Sequence, residues 1–439
     1  MQKVAANKVF TPSRPAVETF VERTNKINNH LVDALNTPGK QIVLYGHTKC
    51  GKTTLLVNKL RQTYENSFTT RCMDGMSYES IILDAFDQLG KVYTETAKTR
   101  GFKISPEISV TYNEIKATLK LGEYTDQKQT SNKQIIPPQL TGRRLGEFFG
   151  ASKSCWVLED FHKIKGTDKS KTSGLMKIFQ DMSETYPELK IIALGAVGTA
   201  REVVEYNQEM EDRVTEIYIP YMNDEEIEEI ITSGEKLLNI KFGADVKRRI
   251  VKYSCGLPAI CHQLCLNICF NKSINETAKQ LTAINLHDLE KAIEKFVDEK
   301  SDTLKKQFDK SIKIPNRTPT NIPKELLIIC LNLEKDEFSF DEIYYNLKGK
   351  RIQKKDAEKN LNDLCTVERS EILIYDENSN LYRFNNLFLK AYAKLKLKED
   401  VDTKPTTTRR DEQIVQKLLD ILDKDILDEY EDEIYIEDL

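Results

Sequence analysis

Residues 42 to 55, Ile-Val-Leu-Tyr-Gly-His-Thr-Lys-Cys-Gly-Lys-Thr-Thr-Leu, constrain the fold more than any other part of the chain. An apolar run leads into two glycines separated by four residues, followed by a lysine, a hydroxyl residue and a helical pattern. This spacing is that of a phosphate-binding loop. Glycines let backbone N–H groups turn inward around phosphate oxygens, and the next helix directs its positive end at the same anion. The stretch therefore predicts a strand, a phosphate loop and a helix in succession.

The same loop predicts contacts to a bound nucleotide. Lys52 would reach the β- and γ-phosphates, and the Thr53 hydroxyl would be a ligand of Mg²⁺. The loop backbone and the first helical residues would surround the phosphates. The predicted binding set is Gly46, His47, Thr48, Lys49, Cys50, Gly51, Lys52, Thr53 and Thr54.

A second apolar run, residues 155 to 158, ends in two acids, Glu159 and Asp160. A strand that ends in two carboxylates can place one near Mg²⁺ and the other where it polarises an attacking water. We assign Glu159 to the metal and Asp160 to the water. Paired acids at a strand end are common, so the assignment depends on the phosphate loop that precedes them in the same predicted sheet.

Three further candidates each have a structural alternative. Arg201, after the apolar run at 190–195, could sense the γ-phosphate or lie on a surface helix. Arg213 could reach the nucleotide of a neighbouring subunit or form a surface ion pair. Cys261, Cys265 and Cys269 recur every fourth residue beside His262, but a zinc site needs ligands that converge from more than one turn. We interpret the cysteines as a buried helix face.

Strands that alternate with helical segments predict an α/β fold with a parallel sheet covered on both faces. We assign residues 1–222 to this ATPase-type core, with a polar insertion at 95–137 that we expect to form a hairpin. Residues 223–311 are predicted to be all-helical. Residues 318–398 show three helices and a hairpin, the order of an α+β winged helix, and 399–439 form a linker and an acidic tail.

Charge is distributed unevenly along the chain. Residues 411–439 hold twelve acidic and two basic residues, so the rest carries a net charge of about +6 against −4 for the whole. The tail could dock a partner, mask a basic surface or only aid solubility. A basic face near the third helix of the winged-helix region could bind DNA phosphates or be solvated. It comprises Lys348, Lys350, Arg351, Lys354, Lys355 and Lys359.

The chain shows no apolar run of membrane-spanning length and no signal-peptide core, so we expect a cytoplasmic protein without membrane contact. Nine cysteines without paired two-residue spacings do not indicate a disulfide framework in a chain of 439 residues.

The order of motifs resembles the AAA+/STAND ATPases, and within them the branch of origin-recognition ATPases. The motifs are Phe20-Val-Glu-Arg23, the loop 46–53, Glu159-Asp160, the segments 195–201 and 212–221, and Ser254-Cys-Gly-Leu-Pro258. The resemblance implies ATP with Mg²⁺, a nucleotide-dependent oligomer, Arg23 near the adenine, a lid whose Pro258 packs on the nucleotide, and a winged helix.

Departures from the family pattern shape the functional expectation. Glu159 stands where the family usually has Asp, which predicts slow hydrolysis, and Ala259 stands where an origin-type lid carries Arg. No histidine follows His287, whereas STAND switches often place one on the nucleotide. The missing origin-type arginine and the acidic tail favour a nucleotide-controlled switch that acts on a protein effector, with prokaryotic antiviral defence as the expected setting. The alternative is a DNA-binding initiator or loader ATPase.

Overall fold

The computed structural model describes residues 3–23, 25–64, 66–91, 106–125, 140–196, 214–299, 301–314, 320–333, 335, 337–347, 349–350, 352–376 and 379–398. The chain divides into two compact units, Met1–Phe296 and Val297–Leu439. The helix Ser301–Ser311, which our sequence boundaries placed with the all-helical segment, belongs to the second unit.

The first unit is built on five parallel strands in the order β2-β3-β4-β1-β5. The predicted parallel sheet is thereby confirmed. Its carboxyl ends share one edge, which is where the phosphate loop follows β1 and the two acids follow β3. The strands are β1 (Gln41–Tyr45), β2 (Asn66–Arg71), β3 (Ser154–Glu159), β4 (Lys190–Gly195) and β5 (Val214–Tyr218).

Helices pack on both faces of the sheet, because alternate residues of each strand point to opposite sides. Val43 and Trp156 belong to one apolar cluster, while Ile42 and Val157 belong to the other. The helices of this part are α1 (Ala6–Val9), α2 (Asn25–Asn36), α3 (Lys52–Thr63), α4 (Tyr78–Lys91), α5 (Pro106–Thr125), α6 (Gly142–Ala151) and α7 (Gly166–Asp181).

Within the insertion at 95–137 the structure describes a helix, and the rest of the hairpin that we expected there lies outside the described residues. The described part of the insertion is α5. Tyr112 and Ile115, three positions apart, are buried and join the core that holds Phe86 and Phe148. Residues 104–121 are the stretch of this polar insertion that shows sustained periodicity, and α5 covers most of them.

The remainder of the first unit is mainly helical. Its elements are α8 (Asp224–Leu238), β6 (Ile240–Phe242), α9 (Ala244–Ser254), α10 (Pro258–Asn271), β7 (Thr282–Ile284) and α11 (Leu286–Glu299). A capping box between Asn223 and Glu226 starts α8. Cys261, Cys265 and Cys269 are buried in α10, and burial raises the pKa of the Cys269 thiol to about 12. Their burial agrees with the interpretation as a packed helix face.

The second unit contains α12 (Ser301–Ser311), α13 (Ile322–Asn332), β8 (Glu337–Phe338), α14 (Phe340–Asn346), α15 (Lys354–Asp363), β9 (Leu373–Asp376), β10 (Leu381–Phe384) and α16 (Leu387–Lys396). The three strands pair in the order β8-β10-β9, and both pairings are antiparallel. Three helices and a hairpin thus occur in the predicted order; the name winged helix stays a prediction.

Ion pairs occupy part of the predicted basic face. Lys350 pairs with Glu325, and the Lys354 Nζ lies 3.8 Å from the Asp341 carboxylate. Lys355 and Lys359 are exposed on α15, whereas Lys348 and Arg351 lie outside the described residues.

Across the described parts of the chain, none of the helices combines the length and the apolar character that a membrane crossing requires.

Candidate nucleotide site

The phosphate loop links β1 to α3 through three residues with positive φ. These are Gly46 at 153°, Lys49 at 66° and Gly51 at 98°. A Cβ atom at position 46 would lie 2.3 Å from the carbonyl oxygen of Ile219, so only glycine fits against the end of the sheet. Gly51 is the N-cap residue before α3 and provides no side-chain cap, so the first N–H groups of that helix face the loop.

Lys52 is folded into the loop. Its Nζ donates to the carbonyl oxygens of Gly46 at 2.9 Å and His47 at 2.7 Å. Burial lowers the pKa of Lys52, and the neighbouring Cys50 and Asp160 act in the opposite direction. A phosphate oxygen bound in the loop would compete with the two carbonyl oxygens for the ammonium protons of Lys52.

Thr53 and Glu159 meet although 106 positions separate them. The Thr53 hydroxyl donates to Glu159 Oε1 at 3.0 Å. Hydroxyl and carboxylate oxygens are the ligands that Mg²⁺ prefers, and Mg²⁺ is usually held by one or two protein groups together with nucleotide phosphates. The pair therefore fits a Mg²⁺ ion beside the phosphate loop. Within the described residues, no group of three or more His, Cys, Asp or Glu is arranged to hold a metal.

Arg71 also contacts Glu159, a contact that was not predicted from the sequence. Arg71 ends β2, and its Nε donates to Glu159 Oε2 at 3.0 Å while 80% of its side chain is exposed. β2 and β3 are paired with Arg71 opposite Glu159, so sheet register brings the two together. This contact raises the pKa of the guanidinium.

Asp160 directly follows β3 in a left-handed conformation with φ 59°. Its carboxylate accepts from Lys163 Nζ at 2.7 Å, and both side chains are partly exposed. His162 lies in the short turn that follows β3, and its Nδ1 accepts from the N–H of Ala196, just beyond β4, at 3.3 Å. Arg201 and Arg213 lie outside the described residues, so their proposed roles stay predictions.

Arg23 is a buried connector at the side of the loop. Its guanidinium donates to the carbonyl oxygens of Cys50, Pro220 and Tyr221. Its Nε lies 3.3 Å from the Glu226 carboxylate, and Arg23 is 4% exposed. Burial lowers the pKa of Arg23, while Glu226 raises it. One side chain thus ties the phosphate loop to the end of β5 and to the start of α8.

The phosphate loop opens into a cleft of about 330 Å³. Its walls come from an N-terminal segment, the loop with α3, the ends of β2 and β3, and the helices α8 and α10. Pro258 starts α10 against the loop, since a Cβ at Gly51 would lie 3.9 Å from its Cγ. Lining residues that our sequence reasoning did not select include Thr11, Pro12, Pro15, Ala16, Val21, Met222, Ile230 and His262.

The only sequence hint of the N-terminal wall is the proline-bearing stretch Phe10-Thr-Pro-Ser-Arg-Pro15, which cannot form a regular helix and precedes Arg23. Nothing in its composition shows that it faces the loop some 35 residues later. The contact is visible only in the structure.

No known family model and no curated protein matches this chain. Similar solved structures include a Walker-type ATPase of Pyrococcus abyssi, at 14% identity and TM-score 0.45, covering 88% of this chain and 99% of that one. The Aeropyrum pernix ORC1 protein, solved with DNA, matches at 11% identity and TM-score 0.42, with 89% and 96% covered.

A STAND protein with a tetratricopeptide repeat sensor from Pyrococcus horikoshii matches at 12% identity and TM-score 0.37, with 87% of this chain and 43% of that one covered. Both groups that the sequence resembles, origin-recognition and STAND ATPases, are therefore represented. At TM-scores below 0.5 the likeness carries no functional argument, and the P-loop fold rests on the strand order and loop geometry of the chain itself.

Proposed function

We propose that this protein is a Mg²⁺-dependent ATPase in which the bound nucleotide controls a partner protein. The observation that carries the proposal is the convergence of Lys52, Thr53 and Glu159 at one end of a cleft, where a folded phosphate loop and the first turn of α3 meet. A cation, a hydroxyl and a carboxylate in that arrangement are the groups that phosphoryl transfer from a nucleotide requires.

The residues divide into two tasks. The loop backbone and Lys52 bind and orient the phosphates, and Thr53 with Glu159 would hold Mg²⁺, which neutralises charge on the phosphates when bound. Asp160, next to Glu159, is the residue that we assign to orienting the attacking water. We expect slow turnover, because a glutamate on the metal side is one carbon longer than the usual aspartate and is also engaged by Arg71.

We infer control of a partner from the fact that separate segments of the chain line the cleft. The N-terminal segment, the loop and α10 all line it, so a nucleotide would contact all three at once. A ligand shifts a conformational equilibrium by its difference in affinity for the two states. We therefore infer that nucleotide binding and release change the position of the helical part, and that a nucleotide-dependent oligomer or a protein effector responds. Antiviral defence is the setting that we propose for such a switch.

The first experiment tests nucleotide binding itself. Lys52→Ala should reduce the affinity for ATP with Mg²⁺ by about 100-fold or more, since charge-assisted hydrogen bonds to phosphate contribute about 1.5–3 kcal/mol each. Isothermal titration measures the change. Lys26→Ala, on the exposed side of α2, is the matched control and should bind as the unmodified protein does. Unchanged affinity in the Lys52 variant would remove the basis for the proposal.

The second experiment tests the partner. Lys52→Ala and Asp160→Ala should trap nucleotide-free and ATP-bound forms respectively, and both can serve as baits for the products of neighbouring genes. A switch retains a partner on one bait and loses it on the other. Equal recovery on both baits would argue against nucleotide control.

A DNA-binding role is the second candidate, and the exposure of Lys355 and Lys359 on α15 favours it. Phosphate contacts release counterions, so DNA affinity should fall steeply with salt and the slope should decrease when both lysines are replaced by alanine. The ion pairs of Lys350 and Lys354 reduce the charge available to DNA on this face. If the protein shows no salt-dependent binding to DNA, the DNA-binding role is excluded and control of a partner protein is left.

A further inference from the structure

Two polar residues that line the cleft, Thr11 and His262, have no part in the phosphate loop. Thr11 is 6% exposed, and its hydroxyl oxygen is buried without a hydrogen-bond partner in the described parts of the chain. His262 is 4% exposed, and both residues line the cleft. A buried hydroxyl without a partner costs free energy, so its presence needs an explanation.

The chain holds Thr11 firmly in place. The preceding helix α1 is fastened to the helical part by hydrogen bonds from Ala6 N–H to the Asn275 carbonyl at 2.8 Å and from Thr277 N–H to the Val4 carbonyl at 3.0 Å. The Phe10 ring lies directly over Gly234 of α8, where a Cβ would come within 2.2 Å of it. Thr11 is therefore presented to the cleft by a fixed segment and not by a loose end.

The position of the proton on His262 follows from its contact with Thr11. The Thr11 N–H donates to His262 Nδ1 at 3.2 Å, so the neutral ring carries its proton on Nε2. Burial lowers the pKa of His262 to about 4, which keeps the ring neutral near pH 7. His262 follows Pro258 by four positions on α10 and shares its face, the face that meets the phosphate loop. Its Nε2 is thus a donor only.

We propose that Thr11 Oγ1 and His262 Nε2 recognise an adenine base through hydrogen bonds to the edge that carries its exocyclic amino group. The exocyclic amino group would donate to the Thr11 oxygen, and the ring nitrogen beside it would accept from His262 Nε2–H. The base would lie among apolar side chains of the cleft, including those of Pro12, Val21 and Ile230. This inference rests on the proposed function, because it concerns the other end of the same nucleotide.

The residues that line the cleft also disfavour binding of a guanine base. The Watson–Crick edge of guanine carries two adjacent donors, which a carboxylate satisfies best. Among the described residues that line the cleft, Glu159 is the sole carboxylate, and it is bound to Thr53 at the phosphate end. Guanine would therefore bury donors without a charged acceptor, whereas adenine satisfies the unpaired hydroxyl.

The test separates base reading from a purely structural role of His262. Asparagine can place an amide oxygen near the position of Nδ1 and keep the contact to the Thr11 N–H, whereas glutamine can place an N–H near the position of Nε2. We expect His262→Gln to keep most of the preference for ATP over GTP, and His262→Asn to lose about tenfold of it. The reverse order of the two variants would show that His262 only supports Thr11, and it would overturn the proposal.

Thr11→Val removes the hydroxyl while keeping the shape of the side chain. The variant should weaken ATP binding about five- to tenfold and leave the affinity for purine riboside triphosphate, which lacks the amino group, unchanged. Titrations of the full-length chain with 1-deaza- and 7-deaza-ATP identify the ring nitrogen that His262 contacts, because one of the two should lose about tenfold in affinity. If both analogues bind as ATP does, no ring nitrogen is read and the proposal fails.

Inorganic tripolyphosphate distinguishes failure of this inference from failure of the proposed function. It should bind equally to the unmodified chain and to the Thr11 and His262 variants, and lose affinity only with Lys52→Ala. A chain that binds all nucleoside triphosphates equally would overturn base reading alone. A chain that binds neither nucleotides nor tripolyphosphate would overturn both.

Discussion

The two ends of the cleft are assembled in different ways. The phosphate end comes from eight consecutive residues, 46–53, and one carboxylate that the parallel sheet brings to the same edge. The base end comes from Thr11, Ile230 and His262, which are scattered over some 250 positions of the chain. Backbone geometry specifies the first, whereas packing between distant segments specifies the second.

This difference explains why residue types are informative at one end only. At the phosphate end, Gly46 has a backbone conformation and a contact with Ile219 that no other residue type tolerates. At the base end, a threonine and a histidine act through ordinary side chains that occur throughout any sequence. The difference can be tested by substitutions that affect one end, the link between the ends, or neither.

The largest effect is expected at the phosphate end, from Asp160→Ala. It removes the carboxylate that we assign to the attacking water and should lower turnover by about 10²–10⁴-fold, the usual contribution of a general base. ATP affinity should change little, because Lys52 and Thr53 are intact. Single-turnover hydrolysis and equilibrium titration measure the two quantities.

Lys163→Ala is the control for that substitution, since Lys163 pairs with Asp160 on the partly exposed side. It should leave turnover within a few-fold of the unmodified protein. Parallel loss of binding and turnover in the Asp160 variant would show that the roles of the two acids are assigned wrongly.

The sequence predicted the parallel sheet, the helix that follows the phosphate loop, and the nearness of Thr53 to Glu159. Strand β4 has the bounds of the apolar run at 190–195. These elements carry dense local signals, namely runs of apolar residues and the spacing of glycines and lysine in the loop. The sequence shows periodicity over residues 104–121, but it does not show that buried residues such as Tyr112 would hold this segment on the core as helix α5.

Contacts across the sheet or between distant segments could not be predicted from the sequence. Arg71 faces Glu159 only because β2 and β3 pair in one particular register, and a shift of one residue would separate them. His262 was considered only beside three cysteines on α10. Its contact with Thr11, 251 positions away, depends on how α1 packs.

The second prediction concerns the link between the two ends. Arg23→Met leaves Glu226 without its buried cation and leaves three carbonyl oxygens without a donor, so it should lower the free energy of unfolding by about 3–5 kcal/mol. Urea denaturation measures this loss. The double variant Arg23→Met/Glu226→Gln removes both charges and should regain part of it. If the single variant is as stable as the unmodified protein, Arg23 does not join the loop to the helical part as described.

The third prediction concerns the base end and pH. Folding lowers the pKa of His262 from 6.5 to about 4, so the unfolded chain takes up the proton first as the pH falls. Stability is therefore fully present above about pH 6.5 and decreases toward pH 4, by on the order of 3 kcal/mol. The difference in unfolding free energy between the unmodified protein and His262→Asn should change by this amount across that window. A pH-independent difference would show that the ring is not buried in the neutral form.

The smallest effect is expected from Arg71→Ala, at the edge of the phosphate end. Because 80% of the Arg71 side chain is exposed, its ion pair with Glu159 should contribute less than about 1 kcal/mol to stability. Its effect should appear in the metal requirement instead. Arg71 and Mg²⁺ would use the same carboxylate, so removing the guanidinium should lower the Mg²⁺ concentration that gives half-maximal ATP binding. Arg61→Ala, an exposed arginine at the end of α3, is the control and should leave that concentration unchanged. A higher Mg²⁺ requirement in the Arg71 variant would mean that Arg71 helps to orient Glu159 for the metal. The register of β2 and β3 would then contribute to metal binding at the phosphate end, as the loop does.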